Sequence, residues 1–340
     1  MNNIENSKVS HIVSERKFNA KAFIFQWESL LAVILLAIVV FNYFASDGIF
    51  SGWQIVASTA NFLDRAFIVL AMALVLITGK IDISVGSATA LCSVLMAMAF
   101  NAGLPMPAAM VLCLIIGLTC GIINGVIVVE FPELPAMIVT LSTMIIYRGI
   151  ALVLLEDQAS GGLPQWFQFL SWGDVGRIPF MLLVFVVMAV IFWLLLHKTS
   201  FGRQLYAMGK NEVASNFSGI KVKRNTLIVF ALNGLMAGTC ALFLTSRMGS
   251  TRPNVAIGYE LDVIAMVVLG GVPAIGGKGS IPGVVMAVFI IGFLRFGLGL
   301  FNVPGQVLII IIGCLLIGSV LISNFAISRS RKISDSKSKK

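Results

Sequence analysis

The run MPAAMVLCLIIGLTCGIINGVIVV, from Met106 to Val129, carries no Asp, Glu, Lys, Arg or His. A helix needs about 20 apolar residues to cross the hydrocarbon layer of a bilayer, and this stretch supplies them without interruption. Gly117, Gly121 and Gly125 recur four apart within it, the small-xxx-small spacing that lets helix backbones approach closely. The run reads as a transmembrane helix packed tightly against another.

Outward from this run, long apolar segments recur along most of the chain. They predict spans near 29–45, 55–78, 84–101, 106–129, 135–155, 179–197, 226–246, 259–273, 282–301 and 305–325. The eighth is short and flanked by glycines, which predicts a broken or re-entrant element. Composition agrees: 58% of the 340 residues are hydrophobic and 11% charged, and mean hydropathy is +0.98. A soluble domain carries about 25% charged residues, so a soluble fold of this size lacks the polar surface it needs. The expected fold class is therefore all-α: a polytopic membrane protein of about ten transmembrane helices, one or two of them broken or re-entrant. The implied division is a segment at 1–28, a membrane domain at 29–325 containing a basic loop at 198–225, and a basic tail at 326–340.

The 24 basic and 15 acidic residues give a net charge of +9. The basic ones gather in three places: Lys8, Arg16, Lys17 and Lys21; Lys198, Arg203, Lys210, Lys221, Lys223 and Arg224; and Arg329, Arg331, Lys332, Lys337, Lys339 and Lys340. With ten spans all three lie on one side. Basic loops face the cytoplasm, so both termini are expected there and nucleic acid is not implied as a partner. The opposite loop, 156–178, carries Glu156, Asp157 and Asp174 against Arg177, with Trp166, Phe167 and Trp172 suited to an interfacial belt or a docking surface. No cleavable signal sequence is expected, so the first apolar run stays as an anchor.

The chemistry expected of a catalyst is missing. Cys92, Cys113, Cys120, Cys240 and Cys314 all lie in apolar runs without a C-x-x-C pair, so no disulfide framework and no metal site is expected. His11 and His197 are far apart and form no acid–base–nucleophile set. The glycine-rich segment from Gly270 to Gly283 fails as a phosphate loop, because Lys278 is followed by Gly279 rather than Ser or Thr. No cofactor is expected, and any coupling to ATP must come from a separate subunit.

Several polar residues sit where a membrane tolerates few. In Leu74–Ser87, LVLITGKIDISVGS, Gly79 and Gly86 permit a break in the helix, and Asp82, Ser84 and Ser87 can cap the helix that restarts. This segment reads either as a tight turn or as an architectural break near a transport path. Glu260 and Asp262 open another apolar run, which either marks a functional site or satisfies a helix dipole. Asn124, Thr140, Ser142 and Thr143 either face a path for a hydroxyl-rich solute or bond between helices. Arg148 and Arg295 are harder to place unless a tilted helix lets them snorkel.

In the loop from Gly202 to Ile220, Asn211 can cap a short helix with Glu212 in its first turn, and Gly219 can end it. A helix of about two turns between the hinges Gly209 and Gly219 suits docking into a groove on a partner; otherwise the loop only fixes orientation.

Here the sequence resembles the permeases of the ribose, xylose and autoinducer-2 class of bacterial ABC importers. The likeness rests on LITGKIDISVGS (76–87), GRQLYAMGKNEVA (202–214) and GYELD (258–262) leading into VVLGG (267–271), and extends over most of 28–325. The resemblance implies a second permease subunit, the same or different. It also implies cytoplasmic ABC ATPase subunits, a periplasmic solute-binding protein, residence in the bacterial inner membrane, and alternating access driven by ATP hydrolysis outside this chain. It places Glu212, Val213, Ala214 and Gly219, with Asn211 before them, in a coupling helix that contacts the ATPase. Val213 stands where the family often has alanine, and Lys80 where glycine is common. LRFGLGL (294–300) and VPGQ (303–306) look more like the autoinducer-2 and rhamnose branch. An ion-coupled secondary sugar transporter is the rival reading, and an intramembrane enzyme a weaker one.

Overall fold

A computed structural model describes residues 27–45, 52–156 and 158–304, with single positions between 307 and 318. The membrane helices are α1 (Trp27–Ala45), α2 (Gly52–Ser58), α3 (Leu63–Ile77), α4 (Val85–Asn101), α5 (Met106–Glu130) and α6 (Ala136–Leu155). A one-turn helix α7 (Phe169–Trp172) and a two-stranded hairpin, β1 (Asp174–Val175) with β2 (Ile178–Pro179), follow. Then come α8 (Phe180–Lys198), α9 (Ser200–Lys210), α10 (Glu212–Phe217), α11 (Val222–Met248), α12 (Tyr259–Leu269) and α13 (Ile281–Leu300). The all-helical expectation holds, the hairpin being a small exception.

Among the described residues, six helices are long and apolar enough to cross a membrane, or seven if α2 and α3, bent by 70° at Phe62, count as one span. The expected span 84–101 is the shorter apolar helix α4. The expected span 259–273 shrinks to α12, whose 11 residues rise about 16 Å, too little to cross alone. The expected break there is real: Gly258 and Gly271 take positive φ on either side. Most of the tenth expected span, the tail at 326–340 and nearly all of the segment 1–28 lie outside the described residues.

Helix α3 forms the centre. All of its residues are buried, including Asp64 and Arg65. A helix apolar all round belongs inside a bundle, and α3 is enclosed by α8, α11, α12 and α13. Phe67 stacks on Phe243 of α11 at 4.7 Å between ring centroids and meets Phe185 of α8 edge-on at 5.9 Å. By contrast, α5, α6 and α8 expose Ile115, Ile145, Val153 and Val187 outward, as lipid-facing helices do.

The glycine spacing of α5 finds its partner in α11. A Cβ on Gly117 would strike the backbone of Gly234 and Gly238, and one on Gly121 would fall on the Phe230 carbonyl. Gly234 and Gly238 repeat the same four-residue spacing, so two helices meet backbone to backbone. A Cβ on Gly149 of α6, by contrast, would meet nothing within 4 Å. Gly121→Val should therefore cost about 1–3 kcal/mol through overpacking, whereas Gly149→Ala should be neutral or slightly stabilising. Thermal unfolding of the two variants in detergent checks the contrast.

Candidate functional site

Two buried polar clusters and one exposed helix organise the molecule. The first cluster surrounds the turn from Thr78 to Ser84 that joins α3 to α4. Gly79 takes φ +78° there, a left-handed conformation that glycine adopts without strain. Asp82 is 1% exposed. Its Oδ1 accepts from the backbone N of Ser84 at 3.0 Å and from Ser84 Oγ at 2.7 Å. Its Oδ2 accepts from Asn233 Nδ2 of α11 at 2.9 Å. Asn124 of α5 donates to Ser84 Oγ at 2.7 Å, and Tyr147 of α6 donates to Asn124 Oδ1 at 3.1 Å. Thr140 of α6 accepts from the Ile83 N–H at 3.2 Å. The carboxylate finds its donors in Ser84 and Asn233, as a buried acceptor must, and through Ser84, Asn124 and Ile83 the network reaches α5 and α6 as well.

The structure brings together Asp82 and Ser84, which the sequence placed in one segment, with Asn124 and Thr140, which it read separately, and joins them to Asn233 and Tyr147, which it missed. Two details differ. The Ser84 side chain makes no capping bond to α4; it serves Asp82 instead. Gly86 does not break a helix: it lies in the first turn of α4, where a Cβ would collide with the Ala256 carbonyl and the Glu260 carboxylate. Ser87, the next residue, is buried in the same first turn of α4. Thr143 donates to the Thr140 carbonyl of its own helix at 3.2 Å.

The second cluster lies at the opposite end of α3. Asp262 of α12 accepts from Arg65 Nη1 at 2.7 Å and from Arg295 of α13. Asp64 Oδ2 accepts from Arg247 Nη2 of α11 at 3.0 Å and from the Tyr259 hydroxyl at 2.8 Å. The Arg65 guanidinium also lies over the Tyr259 ring, 4.4 Å from its centroid. Arg295 is thus paired rather than snorkelling. Arg148 donates to the carbonyls of Pro253 and Val255, tying α6 to the loop before α12. Glu260 turns back to accept from the Gly258 N–H at 3.2 Å, so Glu260 and Asp262 meet different partners. Asp64, Arg65 and Arg247 escaped the sequence reading, although an Asp-Arg pair inside an apolar run is itself a signal.

The exposed helix is α10. Asn211 Oδ1 accepts from the Ala214 N–H at 2.9 Å, the expected N-cap. At the other end Ile220 N donates to the Ser215 carbonyl and Gly219 N to the Asn216 carbonyl, both at 3.1 Å. With Gly219 at φ +81°, this is the double bond pattern that closes a helix on glycine. Val213 and Phe217 are 66% and 88% exposed. Glu212 pairs with Lys80 at 2.7 Å, which joins α10 to the turn that carries Asp82. Gly209, expected as a hinge, is helical in α9. Its role is close approach: a Cβ there would overlap the Ile77 carbonyl. Tyr206 of α9 donates to the Gly279 carbonyl at 2.7 Å, and burial pushes its phenol above the ordinary value, so it stays a donor. Among the described residues no group of three or more His, Cys, Asp or Glu could hold a metal ion.

Removing Asp262 takes the carboxylate from the buried Arg65, leaving it only Asp64 at 4.0 Å, and from the partly buried Arg295. Asp262→Ala should cost about 3–5 kcal/mol of stability. Asp82→Asn keeps the shape and two acceptor lone pairs, and should cost about 1 kcal/mol. Parallel denaturation in detergent distinguishes them.

Residues 54–320 match the model of a protein family described as branched-chain amino acid transport system / permease component. The chain is also 32% identical, over 311 residues, to the autoinducer 2 import system permease protein LsrD of Escherichia coli strain K12. The same protein of Shigella flexneri matches equally, with 90% of this chain and 94% of the relative covered. No solved structure matches. The permease relatives, the apolar helices and the matching of nearly the whole membrane region agree, and the chain belongs to this family of permease components, as a permease subunit of the ABC importer class.

Proposed function

We propose that this chain imports autoinducer-2, or a monosaccharide-like solute close to it such as rhamnose or a pentose, across the bacterial inner membrane. The relatives named for autoinducer 2 import support the solute class. The chain crosses the bilayer ten times with both termini in the cytoplasm, an arrangement favoured by the basic residues of the 198–225 loop and of the two ends. It works with a second permease subunit, cytoplasmic ABC ATPases and a periplasmic solute-binding protein, and ATP hydrolysis resides in the ATPases. Spans rock between outward- and inward-open states as the ATPases close.

The observation that carries this reading is α10. A helix of 6 residues, fixed at its N-terminus by Asn211 and at its C-terminus by Gly219, holds Val213 and Phe217 out from the bundle. Apolar side chains so exposed on a rigid, capped helix suit insertion into a groove. We assign Asn211, Glu212, Val213, Ala214 and Gly219 to this coupling helix. Gly79, Asp82, Ser84, Ser87, Asn124, Thr140 and Thr143, with Glu260 and Asp262, we assign to holding the moving helices beside the path.

The test is purification of the tagged chain in mild detergent, with identification of every associated protein. An ATPase carrying a phosphate loop, in amount comparable to the permeases, is the expected result. A stable preparation of this chain alone would overturn the reading in favour of an ion-coupled transporter. Phe217→Asp should weaken ATPase retention about tenfold or more, the equivalent of one buried aromatic side chain, while the protein still reaches the membrane.

A further inference from the structure

The pairing of Lys80 with Glu212 joins two elements that sequence separates by 132 positions. The Lys80 side chain is 14% exposed and that of Glu212 51%, so the lysine is held by the bundle and the glutamate projects from α10. Lys80 stands two residues before Asp82. Through Asp82 it is connected to Ser84, Asn124 and Asn233, and so to α4, α5 and α11.

Other contacts converge on the same turn. Thr140 accepts from the Ile83 N–H. The Gly277 N–H donates to the Ile77 carbonyl at 2.8 Å. Gly209, the residue two before Asn211, lies against that same carbonyl. A groove of about 570 Å³ runs beside the pair, lined by Lys80, Glu212, Phe217 and Pro132 among others. Here α10 meets the bundle in contacts that include one ion pair, close to a buried polar node and at the end of the fully buried helix α3.

We infer that the Lys80–Glu212 ion pair is the link through which displacement of α10 reaches the Asp82 node, so that both are positioning residues for transport. This rests on the assignment of α10 as the ATPase-contacting helix and deepens it: the Glu212 carboxylate faces inward to its own chain, and the exposed apolar residues Val213 and Phe217 are left to face the partner. Coupling of this kind needs a contact whose loss frees one element from another. An ion pair spanning two otherwise separately bonded elements provides it.

The test uses the full importer in nanodiscs, with Cys120 as the sole remaining cysteine. Cys120 is 5% exposed, and its carbonyl accepts from the same Tyr147 hydroxyl that bonds Asn124, so its reactivity reports on the node. Maleimide labelling is followed without nucleotide and with ATP plus vanadate, beside ATPase retention. In the parent chain ATP should change the labelling rate several-fold. Lys80→Glu should retain the ATPase yet lose most of that change, and adding Glu212→Lys, which re-forms the pair in reverse, should restore it. Lys80→Glu responding to ATP like the parent would overturn the link, as would a parent without any response. Loss of the ATPase from Lys80→Glu would also overturn it, because the charge would then act at the docking contact. Failure of the parent chain to hold an ATPase would instead show that the docking assignment itself is wrong.

Discussion

A carboxylate among apolar helices costs several kcal/mol unless opposite charge and hydrogen bonds meet it within the protein. Asp262 meets both conditions through Arg65 and Arg295. Those two contacts determine how α12, too short to span, is held: its first turn is clamped between α3 and α13. Asp64 extends the same ionic cluster to Arg247 at the end of α11. Breaking one pair would leave the others with unbalanced charge, so these helices are tied to one another at a common height.

Helix α3 connects this cluster to the second one. Asp64 and Arg65 open it, and the turn leading to Asp82 closes it. Between them every side chain is buried. Its ends are polar for different reasons: charge paired with charge at one, a carboxylate satisfied by neutral donors at the other. The neutral node depends on Ser84, Asn124 and Asn233 keeping their rotamers, and it lies nearest α10. A node built of hydrogen bonds can exchange partners at lower cost than one built of ion pairs. The ionic end is thus suited to remain fixed while the neutral end adjusts.

Close helix contact is the third element of the design. Gly117 and Gly121 on α5 against Gly234 and Gly238 on α11 bring two backbones together. This contact also sets Asn124 and Asn233 on facing helices, within reach of Asp82 and Ser84. The glycines therefore do more than pack: they place the donors of the polar node.

The amino-acid sequence by itself determined the membrane class, most helices and the caps of α10. Each of these depends on local properties: apolar length, charge scarcity, and the short-range bonds of Asn211 and Gly219. It also exposed the polar residues that required explanation. Which of them meet was decided by the tertiary structure alone. Asp82 finds Asn233, Asp262 finds Arg65, and Lys80 finds Glu212 across 151, 197 and 132 positions, and no local pattern encodes such distances. Gly86 and Gly209 show the same division from the other side. Sequence marks them as places of freedom, but only the packed bundle reveals that they are needed for lack of a side chain, because neighbouring backbone occupies the space a Cβ would fill.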